Sequence, residues 1–170
     1  MRVKCLYNTG KYTPKDFFVQ YNWTEEMKFT ELTIGKEYTV YAVFILFNHP
    51  CYLICNDIYD GVSYAHPMFY PASLFEVIDN TPSKYWIHRK IKHVKEDSMN
   101  DIGFPDILND EYFYGGVVEG YQKEVQVFQQ WKCLIDREFE RGNNKNNRDE
   151  EHDPAHPCSR AIASRVEQNN

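Results

Sequence analysis

The sequence predicts an α+β protein, a small, strongly bent antiparallel sheet followed by a long amphipathic helix and a polar tail. Three observations carry this. Leu32–Tyr41 and Tyr70–Asp79 both read as short strands entered from tight turns, with a third apolar run, Cys51–Cys55, between them. Val118, Tyr121, Val125, Phe128, Trp131, Ile135 and Phe139 recur at three- and four-residue steps, the spacing of one helical stripe. From Gly142 onward apolar residues all but vanish.

Taken in order, Arg2–Leu6 alternates charged and apolar residues as a first strand, closed by the turn residues Asn8-Thr9-Gly10. Residues 7–31 form an insertion in which Phe17, Phe18, Val19 and Tyr21 suit a strand or a short turn, with Trp23, Met27 and Phe29 packing nearby. Tyr38–Phe47, rich in Val, Ile, Tyr and Phe, is the clearest strand, and its length implies burial on both faces or a bend. Asn48-His49-Pro50 turns it into Cys51–Cys55, and Asn56–Gly61 is turn chemistry. Tyr64–Tyr70 is extended, and Pro67 and Pro71 confine it to a sheet edge because proline donates no ladder bond. Pro71-Ala72-Ser73-Leu74 fits one tight helical turn before a strand over Phe75–Ile78. Trp86–Val94 suggests one further strand.

These elements make one domain over residues 1–141: a barrel-like sheet over about 1–94, an acidic loop over 96–111 and a helix over about 117–139 that packs on the sheet. Residues 142–170 are too poor in apolar side chains to offset their ordering entropy and are expected to be a disordered tail.

Thirteen Tyr, eleven Phe and three Trp supply ample core, and Tyr also suits a surface that must be apolar yet wettable. The net charge of −6 argues against a general nucleic-acid binder. Charge is segregated. Lys84, Arg89, Lys90, Lys92 and Lys95 form a basic run, whereas Glu96–Glu119 holds seven acidic residues and no Lys or Arg. Five Cys at irregular spacing do not read as a disulfide framework, no apolar leader or membrane-length run is present, and a reducing cytoplasm is the expected compartment.

No catalytic constellation accompanies this architecture. There is no Gly-x-Ser-x-Gly elbow, no phosphate-cradling glycine loop and no His-Glu-x-x-His. Cys51 and Cys55 would lie roughly 13 Å apart along a strand, too far for one zinc ion. His152, His156 and Cys158 lack a scaffold. The expectation is therefore a protein that is not an enzyme and uses no cofactor or metal.

Leu32-Thr33-x-Gly35-Lys36-x-Tyr38-x-Val40, the run Tyr52–Asp57 and Tyr70-Pro71-x-x-x-Phe75-Glu76, with Arg2-Val3-Lys4-Cys5 as opening strand, resemble small SH3-like β-barrel proteins of the phage and mobile-element type. The likeness covers residues 1–6 and 32–79, implies strands and turns, and carries over no catalytic residue. A small sheet with a C-terminal helix and an acidic surface is also similar in build to immunity proteins, which plug the active site of a toxin.

The leading expectation is a cytoplasmic inhibitor or immunity-type factor that occludes a toxin or host factor with a basic surface. Its contact residues would be Asp97, Asp101, Asp106, Asp110 and Glu111, with Tyr112 and Tyr114 as aromatic anchors. The alternative is a nucleic-acid or nucleotide-binding barrel that uses Trp86, Arg89, Lys90 and Lys92 in the basic aromatic strand 85–93.

Overall fold

Alternation in Arg2–Cys5 buries Val3 and Cys5 and leaves Arg2 and Lys4 at the rim of strand β1. In the computed structural model, which describes residues 1–59, 66–89 and 101–143, β1 pairs antiparallel with β2 (Glu37–Thr39) and with β6 (Phe75–Asp79), making a three-stranded sheet. A second, five-stranded antiparallel sheet runs in the spatial order β5 (Pro67–Pro71), β4 (His49–Cys55), β3 (Ala42–Leu46), β8 (Asp101–Gly103), β7 (Ile87–Arg89). Among the described residues the strands thus divide between two sheets and do not close into one barrel. The predicted tail from 144 onward, residues 60–65 and residues 90–100 lie outside the described residues.

The segment predicted as one long strand, Tyr38–Phe47, is two strands joined by a bend. Val40 and Tyr41 carry the chain from the small sheet to the large one, Val40 N–H donating to Met1 O at 3.1 Å and Tyr41 N–H to Leu53 O at 2.9 Å. Each of these two residues is buried in a different core. A two-residue turn, Phe47 and Asn48, then closes the β3–β4 hairpin with positive φ at both positions, 52° and 65°. That geometry matches the twist of the flanking strands, but it strains a residue as bulky as Phe47.

Successive side chains of the large sheet go to opposite faces. Tyr52, Ile54 and Tyr70 pack with Val3 and Phe75 of the small sheet and with Leu74 just before it, while Ala42 and Leu53 pack with the helices on the other side. The proline-flanked strand β5 lies at the edge, as its composition predicts, and a single 3₁₀ turn over Ala72–Leu74 leads into β6.

Two departures concern the insertion and the acidic stretch. Lys15–Tyr21 is a helix, α1, with Phe17 buried beneath it and Asn22 in the left-handed region ending it at φ 54°. The described part of the predicted acidic loop, residues 101–111, is not a plain loop: β8 inserts between β3 and β7, and α2 (Pro105–Asn109) follows.

The predicted C-terminal helix is also divided. Helix α3 (Phe113–Val118) stops at Gly120, φ 78°, where Tyr121 N–H reaches back to Gly116 O at 2.8 Å and Gly120 N–H to Val117 O at 3.2 Å. This paired return is a Schellman stop, which glycine accepts without a Cβ penalty. Helix α4 (Gln122–Asn143) then restarts the chain. Phe128, Trp131, Ile135 and Phe139 are buried as the stripe predicts, but Val118 and Tyr121 precede the restart and are exposed.

Asp57 ties the loop before β2 to the end of β4. Its carboxylate accepts from Lys36 Nζ at 2.8 Å, from Tyr38 Oη at 2.9 Å and from the Thr33 hydroxyl. Burial works to raise its pKa, yet these bonds outweigh burial and hold it below the usual carboxylate value. The stability it contributes is present above the unfolded carboxylate pKa and is lost as pH falls through the lower folded value. Urea midpoints measured between pH 6 and pH 2 should therefore fall across that acid window, and Asp57→Asn should flatten the slope. A second outcome concerns space: a Cβ at Gly103 would meet Ala42 Cβ at 2.8 Å and Ile107 Cγ2 at 3.0 Å. Gly103→Ala should cost about 1–3 kcal/mol in denaturant unfolding.

Candidate functional site

The α-helical layer covers only part of the large sheet. Beyond it the face that carries Ala42 and Leu53 continues into Phe44, Leu46, Cys51 and Phe69, and these line a cleft of about 610 Å³. The volume lies within the range of small-molecule and peptide-segment sites.

Two aromatic walls enclose it. On the sheet side Phe44 packs against Phe69 at a centroid distance of 4.8 Å, and Phe69 meets Tyr114 of α3 at 5.1 Å. On the other side Phe17 and Tyr21 of α1 join Trp23: Phe17 stacks on Trp23 at 5.5 Å and Tyr21 on Trp23 at 5.2 Å. Phe17 and Tyr21 both meet the strained Phe47 edge-on, at 5.4 and 5.5 Å. His49 Nε2 adds a 2.7 Å contact with Asp16 of α1. A seven-residue helix does not hold itself in water, so these contacts fix the wall.

The polar lining is sparse: Arg89 from β7, with Asp110 and Glu111 from the turn between α2 and α3. Arg89 is already engaged. Its guanidinium meets Asp101 Oδ2 at 2.9 Å, donates to Leu108 O, and lies 5.6 Å from the centre of the Phe44 ring. Asp110 Oδ1 accepts from Tyr112 N–H at 2.9 Å, and both Asp110 and Glu111 are exposed. The remaining titratable groups of the lining hold their protons at neutral pH. Burial pushes the Cys51 thiol and the Tyr114 hydroxyl up to about 12 each, and raises that of Tyr21. A thiol so protonated is no nucleophile.

Several predicted contact residues serve the fold instead. Asp101 is buried, 4 % exposed, and besides Arg89 it satisfies the Ile45 N–H at 3.0 Å; an inward carboxylate on β8 is not part of an acidic surface. Asp106, in the first turn of α2, accepts from Trp131 Nε1–H at 2.7 Å and so fastens α2 to α4. Tyr112 is 77 % exposed and is not part of the cleft lining, whereas Tyr114 is half-buried within it. Trp86, offered as a base-stacking residue, is half-buried and packs against both cores. Asp97, Lys90 and Lys92 lie outside the described residues.

Asp110, Glu111 and Tyr114 are thus brought together with Arg89, and the rest of the lining was not read as a site. The signal for Phe44 and Leu46 was their alternation with Val43 and Ile45 along an apolar strand. Nothing local connects Tyr21 or Trp23 to it.

Among the described residues no group of three His, Cys, Asp or Glu could hold a metal ion, and no helix is long and apolar enough to cross a membrane. Cys5, Cys51 and Cys55 are free thiols. Comparison with models of known families, with curated proteins and with solved structures gives no match.

Because Asp101 pairs with Arg89 and caps a strand N–H, Asp101→Ala should lower stability by about 2–4 kcal/mol in urea unfolding, the cost of leaving buried partners unmatched. Glu111→Ala, at an exposed position, should change it by no more than about 0.5 kcal/mol.

Proposed function

We propose that this protein is a non-enzymatic binding protein, an inhibitor or immunity-type factor that occludes a partner by receiving an exposed segment of it in the aromatic cleft. The observation that supports this reading is the cleft itself, walled by aromatic side chains and edged on one side by the exposed carboxylates of Asp110 and Glu111. Aromatic side chains in a concave, partly desolvated site are the usual anchors of protein recognition. The SH3-like reading of the strands belongs to the same proposal; its support is the bend at Val40 and Tyr41, which passes one continuous chain from the three-stranded to the five-stranded sheet.

The acidic contact surface is smaller in this reading than the sequence suggests. Asp101 and Asp106 leave it, Asp110 and Glu111 remain at the rim, and Tyr112 stays exposed next to them in sequence. Arg89 is committed to Asp101 and Leu108, which weakens the nucleic-acid alternative, since that reading needs its guanidinium free for phosphate or base.

The test is co-purification of the tagged protein from lysate of its source, with nuclease treatment, comparing wild type with Glu111→Lys and with Tyr114→Ala. A stoichiometric protein retained by wild type should fall at least about tenfold with Glu111→Lys, chiefly through a slower on-rate at low salt. Equal retention by both variants would remove the cleft from the interface.

A further inference from the structure

We infer that the cleft takes a cationic group on an apolar stem, the side chain of an Arg or Lys presented by a segment of the protein partner. The inference rests on the binding reading above and adds the chemistry of the occupant.

Charge comes first. Of the ionisable side chains in the lining, Arg89 already has a carboxylate and a backbone carbonyl as partners, 2.9 Å from Asp101 and against Leu108. Among the described residues the carboxylates of Asp110 and Glu111 have no cationic partner: Asp110 accepts one backbone N–H, and Glu111 is in no hydrogen bond or ion pair with them. Among the described residues the lining therefore presents two carboxylates without a cationic partner beside one neutralised positive charge. An anionic occupant could reach a cation only by drawing Arg89 off Asp101, leaving a carboxylate buried without its partner. A neutral apolar occupant would leave the exposed carboxylates of Asp110 and Glu111 at the edge without a counter-charge. A cation supplies that counter-charge and leaves Arg89 on Asp101.

The walls favour the same occupant. The faces of aromatic rings carry negative potential, and a cation within about 6 Å of a ring centre is attracted to it. Arg89 demonstrates that this sheet face accepts such a contact, since its guanidinium carbon already lies 5.6 Å from the centre of Phe44. Tyr21, Trp23, Phe69 and Tyr114 offer further ring surface around the space, while the methylene stem of Arg or Lys finds Leu46 and Met68. At about 610 Å³ the cleft exceeds a single side chain and accommodates a short segment around it.

The experiment titrates the full-length protein with acetyl-Ala-X-Leu-Ala-amide peptides, X being Arg, Lys, Gln or Glu, and follows the indole N–H resonances of Trp23, Trp86 and Trp131. The Arg and Lys peptides should move the Trp23 resonance and leave Trp131 in place. They should bind at least about tenfold tighter than the Gln peptide, with affinity falling as salt is raised, and the Glu peptide should leave Trp23 unmoved. The double variant Asp110→Asn, Glu111→Gln, at exposed positions, should abolish the preference for Arg over Gln with Trp131 unshifted. Equal binding of the Gln and Arg peptides, a shift with the Glu peptide, or a silent Trp23 in all four titrations would overturn the inference. Benzylamine binding tighter than the Arg peptide would move the occupant to a free amine and overturn it as well. A partner that co-purifies with wild type and is lost with Glu111→Lys, while no cationic peptide binds, would leave occlusion standing and the cationic occupant refuted.

Discussion

Everything in this molecule is arranged about strand β4, whose successive side chains feed two different cores. Cys51 and Leu53 face the helices and the cleft; Tyr52 and Ile54 face the small sheet. All four are buried. Because the side-chain period of a strand is two residues, a slip of one position would exchange the two sets and empty both cores. The register against β3 and β5 is therefore fixed from both sides, and with it the positions of Phe44 and Phe69 that floor the cleft.

The cleft wall contributed by α1 shows how a locally unfavourable backbone is maintained. Phe47 sits at positive φ, a conformation that costs of order 1–3 kcal/mol for such a residue. It meets Phe17 and Tyr21 edge-on, so aromatic packing offsets the strain and at the same time holds α1 beside the sheet. The hairpin turn and the outer wall of the site are one cooperative unit.

What could be read from the sequence follows from how local each signal is. Alternation in Arg2–Cys5, the prolines flanking β5 and the Pro71-to-Leu74 turn act through their own backbone, and the strands and the turn appear where those patterns place them. Helix α4 was legible for the same reason, since its stripe is periodic. Its start was not, because the Gly115-Gly116 pair looks like the stronger break while the stop is made at Gly120 by bonds that depend on a left-handed residue. Strand β8 was hidden by its three-residue length and by Asp101, whose charge reads as surface until Arg89 and the Ile45 N–H are seen to meet it. The cleft is the least local feature, assembled from α1, β3, β5, β7 and the turn before α3, and only Arg89, Asp110, Glu111 and Tyr114 carried a hint of it.

The position of β8 also sets an order of events as the chain emerges from the ribosome. Strands β3 and β4 are joined by a two-residue turn, β5 follows later in the same sequence order, and the three form a meander from contacts between consecutive strands. The free edge of β3 must wait for residues 101–103 before it is paired. Until they are synthesised, a strand bearing Val43 and Ile45 presents unpaired backbone groups to its surroundings, the arrangement that invites edge-to-edge association. The carboxylate of Asp101 then does two things as it arrives, meeting the Ile45 N–H on that edge and drawing in Arg89 of β7 as the new outermost strand. A nascent chain halted before residue 101 carries the hydrophobic strands of this protein without the charge that seals them.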